Sequence, residues 1–239
     1  MRDFFSLDGT FNKYGSYLAD TFILSLMWLV FSIPLVTMGA STTAMFYVAT
    51  RRIANREGYI TSDFWQAFKA NFKKATIIWL ILAGLVLIMI FNIANIEHMG
   101  NMAGFMLMAQ FVFIIIIALV SVFLFPMIAR FEMGIIQILK SSFYMAIRHL
   151  FTSASCVLLL VSLFIISTDV FATLFFLAPG IYGMATSYMV MRIFRKYRPE
   201  IDPDPIAELQ EIEAERAEER RKRDVSRIIE TIDENKEEM

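Results

Sequence analysis

The stretch that decides the fold is NFKKATIIWLILAGLVLIMIFNIAN, residues Asn71–Asn95. It begins with two lysines, Lys73 and Lys74, and no further Lys or Arg follows until Arg130. About 20 apolar residues suffice for a helix to cross the hydrocarbon core of a bilayer. The long interval without basic residues therefore predicts a hairpin of two membrane spans whose basic ends lie together.

The composition of the whole chain agrees with a membrane protein. Its 239 residues are 57% hydrophobic, with 23 Phe and 16 Met, whereas soluble domains are about 45–50% apolar. Three blocks, residues 14–50, 75–129 and 149–191, contain no Lys or Arg and one acidic residue each. We predict an all-α fold, a polytopic transmembrane helical bundle with five spans.

The first block is predicted to contain one interrupted span. It lies within Thr21–Thr50 and includes Pro34 and Gly39, two residue types that disfavour an unbroken helix. Five spans would place the N-terminus outside the cell. In the alternative, the chain breaks at Pro34–Gly39 and returns as a re-entrant or short sixth segment. This alternative places the N-terminus inside the cell.

The other two blocks are predicted to contain four spans. The second span is Ala75–Asn95 and the third is Met102–Ala129. The block Leu150–Met191 is twice the length of one crossing. It therefore predicts a fourth and a fifth span that turn near residues 167–169.

The basic residues predict the orientation. Six Lys or Arg residues lie in the loop of residues 51–74, three in the loop 130–149 and four in residues 192–198, whereas the turns 96–101 and 168–170 hold none. Short loops rich in Lys and Arg stay in the cytoplasm. We predict a multi-pass protein of the cell membrane with a cytoplasmic C-terminus.

Two cytoplasmic stretches are predicted to form amphipathic helices with an apolar face flanked by lysine. Such a helix either lies on lipid headgroups or docks on a cytoplasmic partner. For docking, the candidate residues are Phe64, Phe68, Lys69, Phe72, Ile135, Ile138, Leu139 and Lys140.

The same two stretches repeat one pattern. Four residues of the first stretch recur in the second, each 71 positions later: Gln66 and Gln137, Lys69 and Lys140, Phe72 and Phe143, Ala75 and Ala146. Each stretch precedes a predicted two-span hairpin. This favours a parallel internal repeat, with an axis along the membrane normal.

The polar residues give no catalytic, metal or cofactor site. The two histidines, His98 and His149, are predicted at opposite membrane faces, and Cys156 is the single cysteine. We therefore expect neither an enzyme nor a nucleic-acid-binding protein. The spans that run inward each carry a proline, which predicts kinks, with a gating hinge as the alternative; the candidate hinges are Pro34, Pro126 and Pro179.

The charge balance divides the chain into two parts. Residues 1–199 carry 15 basic against 8 acidic side chains, and residues 200–239 carry 7 against 15. We predict a transmembrane domain over residues 1–199 and a charged cytoplasmic tail over residues 200–239. Helical spacing of opposite charges predicts helix in that tail.

Four motifs together resemble the YesL family of bacterial integral membrane proteins. They are SIPLVTMGAST at residues 32–42, FWQAFKANFKKATIIW at 64–79, FPMIARFEMGIIQILKSSFYMAIRHL at 125–150 and PGIYGMATSYMVMRIFRKY at 179–197. The resemblance covers the chain up to Tyr197. This sequence departs from the frequent His-Leu-Pro pattern of the family, because Phe151 follows Leu150, and this puts the start of the fourth span in doubt.

The resemblance implies a function without catalytic residues. Members are typical of Gram-positive bacteria and are commonly encoded beside sugar ABC importers and polysaccharide-degrading enzymes. We therefore expect an accessory protein of carbohydrate (oligosaccharide) ABC-type import, with the lipid bilayer and ABC importer subunits as partners. The alternative is an autonomous small-molecule transporter or channel, for which Trp28, Trp79 and Asn92 could supply a sugar site.

Overall fold

The computed structural model describes residues 10–54, 59–96, 100, 102–169 and 176–197. Within these ranges the regular elements are helices, as predicted. They are α1 (Thr10–Ser32), α2 (Met38–Ile53), α3 (Ile60–Ala94), α4 (Ala103–Arg130), α5 (Ile135–Arg148), α6 (Leu150–Asp169) and α7 (Ala178–Tyr197). The predicted acidic tail and the predicted domain boundary lie outside the described residues.

Four of these helices are long and apolar enough to cross a bilayer. The candidate crossings are Gly15–Ser32, Ile60–Ala94, Ala103–Arg130 and Leu150–Ser167. Most of the surface of these helices is exposed. In α3, only 11% of the 18-residue apolar segment is buried. Since lipid tails can cover such surfaces without cost, this pattern is that of a membrane protein.

The first block contains two antiparallel helices, α1 and α2. Because Pro34 has no N–H group to continue the helix, α1 ends at Ser32 and a 3-10 turn, Leu35–Thr37, leads into α2. Trp28 Nε1 donates to Thr42 Oγ1 at 3.1 Å near the turn. The chain therefore reverses at Pro34, as in the alternative prediction in which it breaks at Pro34–Gly39 and returns.

The far ends of α1 and α2 are also joined. Arg52 at the end of α2 forms an ion pair with Asp20, in the first half of α1. Its Nη2 also donates to Ser16 Oγ at 3.1 Å. Arg51 reaches the start of α3, where it pairs with Asp63 at 3.1 Å. Two neighbouring arginines therefore tie three helices together at one end.

Helix α2 is the centre of the bundle. Small side chains allow other helices to approach it closely, as is common in membrane bundles. The closest approach is at Gly39, which lies against Trp79 and the carbonyl oxygen of Ala75 on α3. Ten of the 16 residues of α2 are buried: Gly39, Ala40, Ser41, Thr43, Ala44, Met45, Phe46, Val48, Ala49 and Thr50.

The two amphipathic stretches connect to their spans differently. The first continues into the second predicted span as one 35-residue helix, α3. The second forms a separate helix, α5, which ends at Arg148, so that only His149 separates it from α6. Proline at position 151 would disfavour a helical conformation at Leu150. With Phe151 instead, α6 begins at Leu150.

Helix α6 ends in the turn region predicted for the last hairpin, residues 167–169. Helix α6 continues through Ser167 to Asp169, and α7 begins at Ala178 and extends beyond Met191 to Tyr197. The hydroxyl of Ser167 donates to the carbonyl oxygen of Leu163 at 2.6 Å. Ser167 therefore bonds back to its own helix and does not end it, and α6 ends two residues later, at Asp169.

The repeat pattern has a counterpart in burial. Ala75 and Ala146 are both buried, while Lys69 and Lys140 are both exposed. The aromatic pair, Phe72 and Phe143, is also exposed, by 39% and 48%. In each of these pairs, both residues are buried or both are exposed. This agreement supports an internal repeat.

Candidate functional site

One face of α5 is apolar, basic and uncovered by the rest of the chain. Its exposed apolar residues recur at helical spacing and are Ile136 (70%), Phe143 (48%), Tyr144 (57%) and Ile147 (58%). Lys140 lies on the same face, and Arg148 Nη1 donates to the hydroxyl of Tyr144 at 2.7 Å. We call these six residues the α5 face.

The opposite side of α5 packs on α4. Its buried residues are Ile138, Ser142 and Ala146, one per helical turn. Ser142 Oγ lies 3.3 Å from the sulfur atom of Met127 on α4. Ile138, a predicted docking residue, is therefore part of the bundle, while Ile135 and Leu139 are half-buried.

The α5 face was largely missed by the sequence analysis. The docking residues chosen there follow the stripe of Ile135 and Ile138, which the structure places toward the bundle. A second stripe at positions 136, 140, 143 and 147 has the same helical spacing. The signal was thus present, but periodicity alone cannot decide which of two apolar stripes meets α4.

The first stretch is buried at two of its four predicted docking residues. Phe64 is fully buried and Phe68 is 7% exposed. Both pack on Phe31 at the end of α1, with ring centroids 5.5 and 5.1 Å apart. Lys69 is exposed and lies over the Trp65 ring, 4.5 Å from its centroid. Docking through Lys69 and Phe72 stays a prediction.

The three candidate hinge prolines occupy different settings. Pro34 lies between α1 and α2, where the chain reverses. Pro126 is buried inside α4, which continues to Arg130. Pro179 is in the first turn of α7, where a helix tolerates proline because no intrahelical N–H bond is lost. Only Pro34 coincides with a change in chain direction, and a gating role stays a prediction.

A second feature is a cavity of about 450 Å³ within the bundle. Five helices contribute to its wall, α1, α2, α4, α6 and α7. The lining residues are Trp28, Leu29, Met38, Thr42, Met45, Phe46, Ser121, Phe125, Leu160, Leu163, Phe164, Ser167, Ala178, Pro179 and Tyr182. We call this space the bundle cavity.

The residues weighed for a sugar site are not brought together. Trp28 lines the bundle cavity, whereas Trp79 donates its indole N–H to the carbonyl oxygen of Leu35, at the α1–α2 turn. Asn92 lies near the end of α3 and does not line the cavity.

Cys156 is buried beside Met189, with 3.8 Å between the sulfur atoms. Among the described residues, no three His, Cys, Asp or Glu residues are grouped to hold a metal ion.

Comparison with known proteins agrees with the predicted resemblance. A family model described as a protein of unknown function, DUF624, matches residues 21–93. The uncharacterized protein YesL of Bacillus subtilis (strain 168) is 29% identical over 140 residues, which cover 56% of this chain and 66% of that protein. The chain is therefore similar to YesL and to DUF624 proteins over part of its length. No solved structure matches the chain significantly.

The family match covers a defined part of the chain. Residues 21–93 include the second half of α1, all of α2 and nearly all of α3. These are the three helices that Arg51 and Arg52 join. Neither match names an activity.

Proposed function

We propose that this YesL-like protein is a non-enzymatic accessory subunit of a carbohydrate ABC-type importer in the cell membrane of a Gram-positive bacterium. The observation that carries the proposal is the α5 face. Exposed apolar side chains at successive turns of one helix are what a partner's hydrophobic groove recognises. Lys140 and Arg148 add a positive charge that selects an acidic rim on the partner.

The position of α5 in the chain favours a partner at the membrane surface. Four residues separate α5 from α4, and one residue separates it from α6. Since both neighbours are candidate crossings, short connections keep α5 at the edge of the bilayer. A subunit that docks there would itself be anchored in or beside the membrane, as importer subunits are.

We also propose that the α5 face and the N-terminus lie on the cytoplasmic side. The start of α1 and the end of α2 meet through Arg52. Arg52 opens the basic loop 51–74, and such loops stay inside. This orientation requires an even number of crossings before α3, in contrast to the five-span prediction.

The alternative of an autonomous sugar transporter has less support. A sugar site needs free donors and acceptors for several hydroxyl groups. The indole N–H of Trp28 already bonds to Thr42, and that of Trp79 to Leu35. The bundle cavity is also lined mainly by apolar side chains. These features favour an accessory role.

Co-purification tests the accessory function. The chain is co-expressed with the genes of a carbohydrate ABC importer from the same bacterium and purified in mild detergent. The variant Phe143→Ala/Ile147→Ala removes two large side chains of the α5 face. The control Leu158→Ala/Val161→Ala removes apolar side chains from α6, where they are 69% and 45% exposed. Only the α5 variant should lose the importer subunits.

Two results would count against the accessory function. One is recovery of the wild-type chain alone although the importer subunits are present in the same membranes. The other is equal recovery of the subunits by the α5 variant and by the α6 control. Solute flux into liposomes that contain this protein alone would favour the transporter instead.

A further inference from the structure

We propose that the bundle cavity is a binding site for one acyl chain of a membrane phospholipid. This inference is independent of the accessory function, because the cavity and the α5 face share no residue. The volume of about 450 Å³ lies within the range of about 300–1,000 Å³ that is usual for ligand pockets.

Most side chains of the wall are apolar, and three of its hydroxyl groups already donate hydrogen bonds. Thr42 Oγ1 donates to the carbonyl oxygen of Met38 at 2.7 Å and accepts from Trp28. Ser121 Oγ donates to Ala118 O at 2.8 Å, and Ser167 Oγ to Leu163 O at 2.6 Å. Each of these hydroxyl protons stays within its own helix. The wall therefore presents an apolar surface, to which a hydrocarbon chain is complementary.

The absence of charge selects among apolar ligands. None of the described residues that line the cavity is Lys, Arg, His, Asp or Glu. A free fatty acid would bring a carboxylate without a counter-charge, which is costly away from water. A phospholipid can leave its headgroup at the bilayer surface and insert only a chain. The uncharged wall therefore favours the acyl chain of a phospholipid over a free fatty acid.

The wall at α6 gives the chain a route of entry. Leu160 and Phe164 line the cavity, and they are also 47% and 63% exposed on the outside of α6. Helix α6 is a candidate crossing, so its outer surface meets the hydrocarbon core. The same side chains thus border both the cavity and the bilayer. An acyl chain can move from one to the other without crossing a polar layer.

Photolabelling tests the site. The full chain is reconstituted in vesicles of phosphatidylcholine and phosphatidylglycerol that contain a phosphatidylcholine with a diazirine in one acyl chain. Ser121→Phe fills the cavity, and the control Ser162→Phe adds the same side chain on the exposed side of α6. Labelling of Leu163 and Ser167, which line the cavity, should fall by about tenfold in S121F, which corresponds to a loss of about 1.4 kcal/mol of binding free energy. The control should label as the wild type does.

The wild-type protein supplies a second readout if S121F does not fold. Labels on α6 should include Leu163 and Ser167, which line the cavity, in addition to Leu158 and Val161, which are exposed toward the bilayer. Labelling of Leu158 and Val161 without Leu163 and Ser167, or equal labelling of Leu163 and Ser167 in both variants, would overturn the proposal. Displacement of the label by palmitic acid, but not by added phosphatidylcholine, would overturn the assignment to a phospholipid.

Discussion

Gly39 sets the distance between α2 and α3. A Cβ atom at this position would lie 2.5 Å from Trp79 Cβ and 2.7 Å from the carbonyl oxygen of Ala75. Neither neighbour is the flexible end of a side chain, so the two helices would have to separate. In a membrane bundle this contact is held by close packing, since lipid tails compete for any looser surface.

Substitution of Gly39 by alanine should therefore destabilise the protein. We expect Gly39→Ala to lower the free energy of unfolding by about 1–3 kcal/mol, as overpacking does. The thermal transition of the detergent-purified protein measures this. The control is Gly84→Ala, also in a helix, where an added Cβ meets nothing within 4 Å. Equal transition temperatures for G39A and G84A would contradict the close contact.

Ser25 joins α1 to the start of α7. Its Oγ accepts a hydrogen bond from the backbone N–H of Gly180 at 2.8 Å and lies 3.1 Å from the carbonyl oxygen of Leu177. We expect Ser25→Ala to cost about 1–2 kcal/mol, as for other hydrogen bonds between membrane helices. Ser162→Ala is the control, because that hydroxyl bonds only to Leu159 of its own helix. A similar melting shift in both variants would show that the bond to α7 contributes nothing.

At the scale of elements, the break between α1 and α2 is stabilised by side chains that donate hydrogen bonds to its backbone carbonyl groups. Trp79 on α3 donates to the carbonyl oxygen of Leu35 at 2.7 Å. Thr37 Oγ1 donates to that of Phe31, also at 2.7 Å. Irregular backbone within a bilayer is tolerated only where its polar groups are satisfied. These two bonds therefore allow an apolar turn that includes Ile33, which is 77% exposed.

Removal of one donor should weaken the turn. Trp79→Phe keeps an aromatic ring but leaves the carbonyl group of Leu35 without its indole partner, and we expect a loss of about 1–3 kcal/mol. Trp65→Phe is the matched control, because Trp65 is 43% exposed and contributes its ring. Limited proteolysis between α1 and α2 measures the opening of the turn. Faster cleavage in W65F than in W79F would contradict this role.

Some elements could be predicted from sequence and others could not. The charge-free run after Lys74 is unambiguous, because nothing in it interrupts an apolar helix. The block with Pro34 and Gly39 is ambiguous, since a break in a helix and a reversal of the chain require the same residues. What decides between them is Arg52, whose partners Asp20 and Ser16 lie on α1, and a pairing across 32 or more positions has no local signal.

The candidate sites show the same limit. Ile136, Phe143 and Ile147 follow a helical spacing that the sequence displays, yet only the contact of Ser142 with Met127 reveals which stripe is covered. The bundle cavity could not be predicted at all. Its wall comes from five helices that are remote in sequence, and each lining residue alone reads as an ordinary apolar position of a span.

On the scale of the whole molecule, two ion pairs connect three helices at one end of the bundle. Arg51 and Arg52 pair with Asp63 and Asp20, so the start of α1, the end of α2 and the start of α3 meet there. The outer parts of α3 and α4 carry large exposed apolar side chains, among them Leu87 and Phe111. The end of the bundle that carries Arg51 and Arg52 is thus compatible with the cytoplasmic side of the membrane. The exposed apolar side chains of α3 and α4 are compatible with contact with lipid.

The side of the membrane on which Gly15 lies tests this account most directly. Single cysteines replace Gly15, Tyr59 and Met102, all exposed, in a Cys156→Ser background. A membrane-impermeant maleimide is applied to intact and to permeabilised cells. We expect Met102→Cys to react in intact cells, and Gly15→Cys and Tyr59→Cys to react only after permeabilisation. Reaction of Gly15→Cys in intact cells, with Tyr59→Cys still protected, would contradict the paired ends of α1 and α2.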